Sequence, residues 1–319
     1  MEKIELSERT RLIHLRDSTL REGQDVPGVS FSEEQKINIA RLLDRAGVPE
    51  IEIVAPGRVL QDVEFAKELK AKGFRLKTSG LVFASSTRCR EEVETVCVWL
   101  DNLVLLMPVS ELRKPYERGV KSKFLLDALD YALHFSADVG VGFPHSTQAS
   151  PEFWLELSRK CEGRGAKRIL IYDTNGNADP FAIYDLIQSL KKHISAPLYF
   201  HAHNDLGLAT ANSLAAVLAG ANGLDATVNG LGDRAGNASL EQIAMVLHLR
   251  GLETRISLNA LKHLSETVAE ASGVHVSGLA PIVGNFVATH KSPGHLEIPG
   301  LFEAFDPSLI GLERKIDHF

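Results

Sequence analysis

Eight short apolar runs, each followed by an amphipathic stretch, leave this chain few ways to fold. The runs are Leu12–Leu15, Ile51–Val54, Leu76–Phe83, Leu103–Met107, Asp138–Phe143, Arg168–Tyr172, Pro197–Phe200 and Leu224–Val228. Their length and lack of polar alternation suit strands covered on both faces, as in a parallel sheet. The amphipathic stretches are Glu33–Ala46, Val59–Lys72, Arg88–Trp99, Lys123–Ser136, Glu152–Arg164, Phe181–His193, Leu208–Ala221 and Ser239–Leu249, with apolar residues recurring at helical spacing. Gly47, Gly73, Gly165, Gly223 and Gly251 stand where helices should stop, and Pro180 where one should open. Eight strand–helix units over about 240 residues predict an α/β fold, a TIM (β/α)8 barrel. An open doubly wound sheet is the alternative, but Thr19-Leu20-Arg21-Glu22-Gly23-Gln24 after the first run is no GxGxxG loop.

Residues 1–255 are assigned to the barrel and 256–319 to a small C-terminal subdomain. There Ile256–Ala271 reads as a helix, and the rest is rich in Gly, Pro and His with a short helix expected over Pro307–Arg314. A segment this short cannot build a large core of its own, so it is expected to pack on the barrel or on a neighbouring subunit. The net charge of −6, from 35 basic and 41 acidic residues, gives no reason to expect nucleic acid or an anionic membrane as a partner. Cys89, Cys97 and Cys161 are an odd set without metal-type spacing, so reduced thiols and a cytoplasmic location are expected. Met1–Thr10 is charged and has no apolar core, so no signal peptide is expected.

A barrel site lies at the carboxyl ends of the strands. His201 and His203 end the seventh run, and residues two apart on a strand share a face, which suits two imidazoles on one divalent metal. Barrel closure makes strand one a neighbour of strand eight, so Asp17, His201, His203 and Asn237 can converge. Two imidazoles, a carboxylate and an amide oxygen leave about two positions of an octahedral cation open for substrate and water. Zn, Mn, Co and Mg all suit such a set. Asp17 can instead pair with Arg16 or Arg21, and Asn237 can serve as a cap before Ser239.

Three segments now carry a family resemblance: Leu15-Arg16-Asp17-Ser18-Thr19-Leu20-Arg21-Glu22-Gly23, His201-Ala202-His203-Asn204-Asp205, and Asn229-Gly230-Leu231-Gly232-Asp233-Arg234-Ala235-Gly236-Asn237. Together they resemble the DRE-TIM metallolyase superfamily, and within it homocitrate, isopropylmalate and citramalate synthases. The tail, with Thr289-His290-Lys291-Ser292-Pro293-Gly294-His295, is similar to the linker subdomain of those enzymes. The HMG-CoA lyase branch fits less well, because it carries a cysteine in the glycine loop where this chain has Asp233-Arg234-Ala235.

The resemblance implies a Claisen-type condensation of acetyl-CoA with a metal-bound 2-oxo acid, in a homodimer. It implies Arg16 as the stabiliser of oxyanion charge, Glu52 as an acid/base carboxylate and Thr174 as a ligand for the oxo-acid carboxylate. It also implies His290 and His295 as linker histidines that reach the partner subunit's site, with His295 the catalytic candidate. Departures from the family pattern fall at Gln24, at Ser79 on strand three, across Gly142-Phe143-Pro144-His145-Ser146, and at Asn175. Gln24, Ser79 and Asn175 are therefore expected to shape a modified substrate pocket. The chain ends at Phe319, so the long regulatory domain of isopropylmalate synthase is expected to be absent. Competing readings are a metal-dependent aldolase or lyase, a non-catalytic homologue, and an amidohydrolase. In the last of these the histidine pair sits on the first strand rather than the seventh.

Overall fold

The computed structural model describes residues 11–112, 117–136 and 138–317; the signal-peptide expectation for Met1–Thr10 lies outside them. In chain order the elements are β1 (His14–Asp17), α1 (Thr19–Glu22), α2 (Glu33–Ala46), β2 (Glu50–Val54), α3 (Val59–Lys72), β3 (Lys77–Phe83), α4 (Cys89–Trp99) and β4 (Asn102–Leu106). There follow α5 (Arg118–Ala132), β5 (Val139–Phe143), α6 (Pro151–Gly163), β6 (Ile169–Asp173), α7 (Pro180–Lys191), β7 (Leu198–Ala202), α8 (Ala209–Ala219), β8 (Gly223–Ala226) and α9 (Leu240–Leu249). The eight strands form a closed barrel in sequence order, and β1 pairs with β8 in parallel register, Arg16 opposite Asp225 and Asp17 opposite Ala226. This is a TIM (β/α)8 barrel, and the open sheet is excluded.

Local chemistry sets several boundaries. Ser32 opens α2 with a capping box: its hydroxyl accepts from the Gln35 amide at 3.2 Å, and Gln35 Oε1 accepts from the Ser32 amide at 2.8 Å. Asp179 caps α7 ahead of Pro180. Strand one begins two residues later than its apolar run, because Ile13 donates instead to the Glu253 carbonyl at the foot of the barrel. At the other end β1 and β7 extend through Arg16 and His201, polar residues that find partners inside the barrel. Helix α5 begins at Arg118 rather than Lys123.

The larger apolar core fills the layer between sheet and helices; a second cluster inside the barrel contains Leu81, Val104, Leu106, Leu170, Tyr172 and Tyr199. The barrel also buries the charged residues Arg16, Glu50, Glu52 and Asp225. Beyond α9 come α10 (Leu261–Ser272), β9 (Thr289–His290), α11 (Pro293–Glu297) and β10 (Lys315–Ile316). Helix α10 packs on α2 and on the turn after β8, where Asn229 Nδ2 donates to the Ser265 carbonyl at 2.9 Å. The helix expected over Pro307–Arg314 is a single 3-10 turn, Pro307–Ile310, stopped by Gly311 in the left-handed conformation. Among the described residues, no helix is long and apolar enough to cross a membrane.

Candidate metal centre and active site

Period-two geometry decides which groups meet at the barrel mouth. On β1, Arg16 points into the barrel, so its neighbour Asp17 points out. Arg16 is fully buried: Nε donates to Asp225 Oδ1 at 2.8 Å and Nη2 to Asp225 Oδ2 at 2.7 Å, and Nη2 lies 3.0 Å from Glu52 Oε2. Asp17 turns its carboxylate onto the next residue but one, accepting from the Thr19 amide at 3.0 Å and from Thr19 Oγ1 at 2.8 Å. That local bond starts the single turn of α1, and the turn carries Arg21 and Glu22 over the mouth.

Glu22 Oε1 lies 3.2 Å from His201 Nε2. One ligand atom each from Glu22, His201 and His203 falls within 4.8 Å of the others, and all three residues are buried. His201 Nδ1 is 3.0 Å from Asp225 Oδ2, so Arg16, Asp225 and His201 form one chain from the barrel interior to the mouth. Such a carboxylate behind a ligating imidazole fixes its tautomer and direction. Asn237 brings its side chain to the same place, with Nδ2 3.1 Å from His201 Nε2.

The electrostatics follow from these contacts. Burial opposes charge on Glu22, but Arg21 and His201 outweigh it and hold the carboxyl well below the usual range. Burial likewise opposes charge on Asp225, and Arg16 and His201 overcome it. Burial works against His201 as a cation, yet its hydrogen bonds to Asp225 and Glu22 raise its pKa to about 9 in the metal-free protein. His203 is pushed down to about 3 by burial and by the neighbouring charge of His201.

These residues fit a divalent cation. Asn237 Oδ1 and His203 Nδ1 are buried without a hydrogen-bond partner among the described residues, and orphaned acceptors of this kind are what a cation satisfies. The glycine loop is built around that amide: a Cβ on Gly232 would lie 1.8 Å from Asn237 Oδ1, and one on Gly236 (φ +86°) 2.0 Å from the Gly230 carbonyl oxygen. Arg234 straps the loop to its neighbours, donating to the Thr174 carbonyl at 2.7 Å and to Asp205 at 2.8 Å.

A cavity of about 330 Å³ opens beside this cluster, lined on the polar side by Arg21, Glu22, Thr174, His201 and His203. Several expected site residues lie elsewhere. Asp17 is not in the ligand group; its oxygens are engaged by Thr19, and burial raises its pKa to about 7. Arg16 does not line the cavity; Arg21 does, with Nε donating to Glu52 Oε1 at 2.6 Å and Nη1 against Glu22. Glu52 is fully buried between the two guanidiniums of Arg16 and Arg21 and does not line the cavity. Ser79 sits below the cavity and donates to the Ile51 carbonyl at 3.3 Å. Gln24 donates back to the Leu20 carbonyl at 2.5 Å, and Asn175 is exposed; neither lines the cavity.

Thr174 does line the cavity, with Oγ1 accepting from the His145 amide at 2.8 Å. His295 lies in the tail, stacked on Phe302 with centroids 4.0 Å apart and with Nδ1 3.4 Å from His290 Nδ1; it does not line this cavity. Arg21 and Glu22 are the residues that sequence reasoning missed. The signal was present: Leu15-Arg16-Asp17 and Leu20-Arg21-Glu22 are two Arg–acid pairs five residues apart, and only the second lies beyond the strand end.

A closed barrel with a carboxylate, two imidazoles and an amide converging at its carboxyl-end mouth is the layout of a (β/α)8 enzyme with a candidate metal site. Within that class the chain belongs to the HMGL-like family, whose description matches residues 12–268. It is 33% identical over 314 residues to 2-isopropylmalate synthase 2 of Caldanaerobacter subterraneus, covering 95% of this chain and 81% of that protein. It is 33% identical over 311 residues to homocitrate synthase 1 of Nostoc sp., covering 95% and 82% respectively. Among solved structures, an HMG-CoA lyase from Bacillus subtilis shares the fold with a TM-score of 0.73 at 20% identity, over 86% of this chain and 98% of that one.

Proposed function

We propose that this chain is an acyltransferase that condenses acetyl-CoA with a 2-oxo acid, giving a 2-alkylmalate- or homocitrate-like product and CoA. The observation that carries the reading is the Glu22, His201 and His203 cluster at the barrel mouth, in a chain whose relatives are named isopropylmalate and homocitrate synthases. Glu22, His201, His203 and Asn237 would hold a divalent metal, which when bound supplies Lewis-acid polarisation of the keto group.

In the reaction, the acetyl methyl group loses a proton and its carbon bonds to the keto carbon. The keto oxygen takes up a proton to become a hydroxyl, and water then cleaves the thioester to a carboxylate and the CoA thiol. Arg21 presents a planar, permanently charged donor fork to the cavity, suited to negative charge developing on oxygen. Glu52 and Glu22 fix the direction of that fork. Thr174, just after β6 and lining the cavity, would hydrogen-bond the oxo-acid carboxylate. Arg16 and Asp225 act from behind, keeping His201 aimed at the mouth.

Two copies are proposed to associate, and His295 could then contribute to catalysis only at the other copy's cavity. The free state of Cys89, Cys97 and Cys161 accords with the cytoplasm. A lyase reading is less favoured, since none of these cysteines lies on the glycine loop and burial pushes their thiols up to about 11, 11 and 12. The test is thiol release from acetyl-CoA in the presence of a divalent metal and a panel of 2-oxo acids. Release that requires both an oxo acid and the metal supports the reading, and carbon–carbon cleavage without a thioester donor contradicts it.

A further inference from the structure

The cavity beside the metal-type cluster is also lined by a polar group that the reaction above does not use. Tyr172 of β6 stands level with His201 across the β6–β7 pairing, its ring 4.8 Å from that imidazole. Thr174, two residues on, lines the same cavity, as the period of a strand requires. The Tyr172 ring fills the space that Gly142 leaves on β5. A Cβ there would lie 2.9 Å from Tyr172 Cε2, 3.4 Å from the phenol oxygen and 2.8 Å from Leu106 Cδ2. The hydroxyl therefore ends beside β5, within the apolar cluster that holds Leu81 and Leu106. It is buried and has no hydrogen-bond partner among the described residues, whereas buried hydroxyls are as a rule paired. Arg58, which also lines the cavity, is in a similar condition. Its Nε and Nη2 are buried without hydrogen-bond partners among the described residues. Its ion pairs with Asp25 and Asp62, at 3.5 and 3.8 Å, are longer than hydrogen bonds.

From this we infer that the 2-oxo acid carries a hydrogen-bond acceptor on its side chain, beyond the keto carbon, and that Tyr172 is the donor that selects it. The inference rests on the condensation reading above. With its carboxylate and keto group drawn to Thr174 and the Glu22–His201–His203 cluster, the remainder of the oxo acid is directed over the Tyr172 ring. A phenol keeps its proton at neutral pH and a guanidinium always does, so both orphaned groups seek acceptors. An acid whose side chain ends in methyl groups would bury the Tyr172 O–H unpaired, at the cost of that group's desolvation. An oxygen in the same place accepts from it, and a carboxylate serves best because Arg58 lies on the same cavity. A site with a buried donor rejects the analogue that lacks the acceptor more strongly than an apolar wall separates two hydrocarbons.

The test uses two pairs of equal shape: oxaloacetate with 4-methyl-2-oxopentanoate, and 2-oxoglutarate with 5-methyl-2-oxohexanoate. Each is followed by thiol release from acetyl-CoA and by calorimetric titration in the presence of Mn²⁺. The better dicarboxylate is expected to exceed its apolar counterpart by about 100-fold or more in kcat/KM. Tyr172→Phe removes only the hydroxyl, and it is expected to lower that ratio by about 10- to 100-fold. Metal content and melting temperature should not fall, since the variant deletes a buried donor that has no partner in the protein. A merely structural hydroxyl would leave the ratio unmoved. An unchanged ratio in the folded Tyr172→Phe chain, or a preference of the unaltered chain for both apolar acids, overturns the inference and leaves the condensation reading standing. Thiol release with none of the four acids overturns that reading, and the inference with it.

Discussion

The barrel interior is divided into two halves built on different physics. On β1, β2, β7 and β8 it is ionic: Arg16, Glu50, Glu52, His201 and Asp225 are all buried and contact one another. On β3 to β6 it is a cluster of Leu81, Val104, Leu106, Leu170 and Tyr172, which Tyr199 of β7 joins, with Arg168 at its foot bound to Glu50 at 2.9 Å. An apolar core tolerates many side chains of similar volume. A buried ion network does not, since each charge is costly unless every partner is in place. The ionic half therefore suits the task that needs one fixed geometry, aiming His201 and Arg21. The apolar half is the part whose shape can vary to suit a substrate.

The largest expected effect comes from breaking the ionic half at its centre. Arg16→Met leaves Glu52 and Asp225 buried beside each other without their shared cation, and thermal or denaturant unfolding should show a loss of about 3–5 kcal/mol. If stability falls by less than that of a surface substitution, the network is not what holds this half together. Leu106→Ala, the matching cut on the apolar side, should cost about 2–5 kcal/mol while metal content stays unchanged. Metal loss in a folded Leu106→Ala chain would mean that the two halves are not separable.

Asp225→Asn acts one contact behind the site. It keeps the shape but removes the carboxylate behind His201, and metal affinity measured by competition with a chelator should fall by about 10- to 100-fold. The smallest effect is expected at Asp17. Burial raises its pKa to about 7 in the folded chain, against an ordinary carboxyl value near 4 when unfolded. The folded chain then binds the proton more tightly, so this group's contribution falls as pH rises from about 4 to about 7 and is lost above that. Asp17→Asn should flatten that part of the profile in melting experiments from pH 4 to 8; an identical slope in both proteins removes Asp17 as its source.

The same two halves explain what could be read from the chain alone. Helices α2 and α3 begin and end where periodicity, Gly47 and Gly73 place them, because those signals are local. The histidine pair was legible for the same reason: two residues apart on one strand is a statement about one face. The carboxylate that joins them was not. Arg16 and Asp17 sit next to each other in sequence, yet they face opposite sides of the sheet. Which side is the interior becomes fixed only when Asp225, more than 200 residues away, pairs with Arg16. Glu52 shows the same limit, since a strand-end carboxylate reads as an acid/base group until two arginines from elsewhere in the fold enclose it. Gln24 and Ser79 were legible as departures from a pattern, but their side chains are spent on the carbonyls of Leu20 and Ile51.

The central claim is that Glu22, and not Asp17, completes the site with His201 and His203. The direct measurement is the metal content of the purified, folded Glu22→Gln and Asp17→Asn chains beside the unaltered one, by elemental mass spectrometry after dialysis against a weak chelator. The account predicts that Glu22→Gln loses the ion and Asp17→Asn keeps it. Retention in Glu22→Gln together with loss in Asp17→Asn would contradict it.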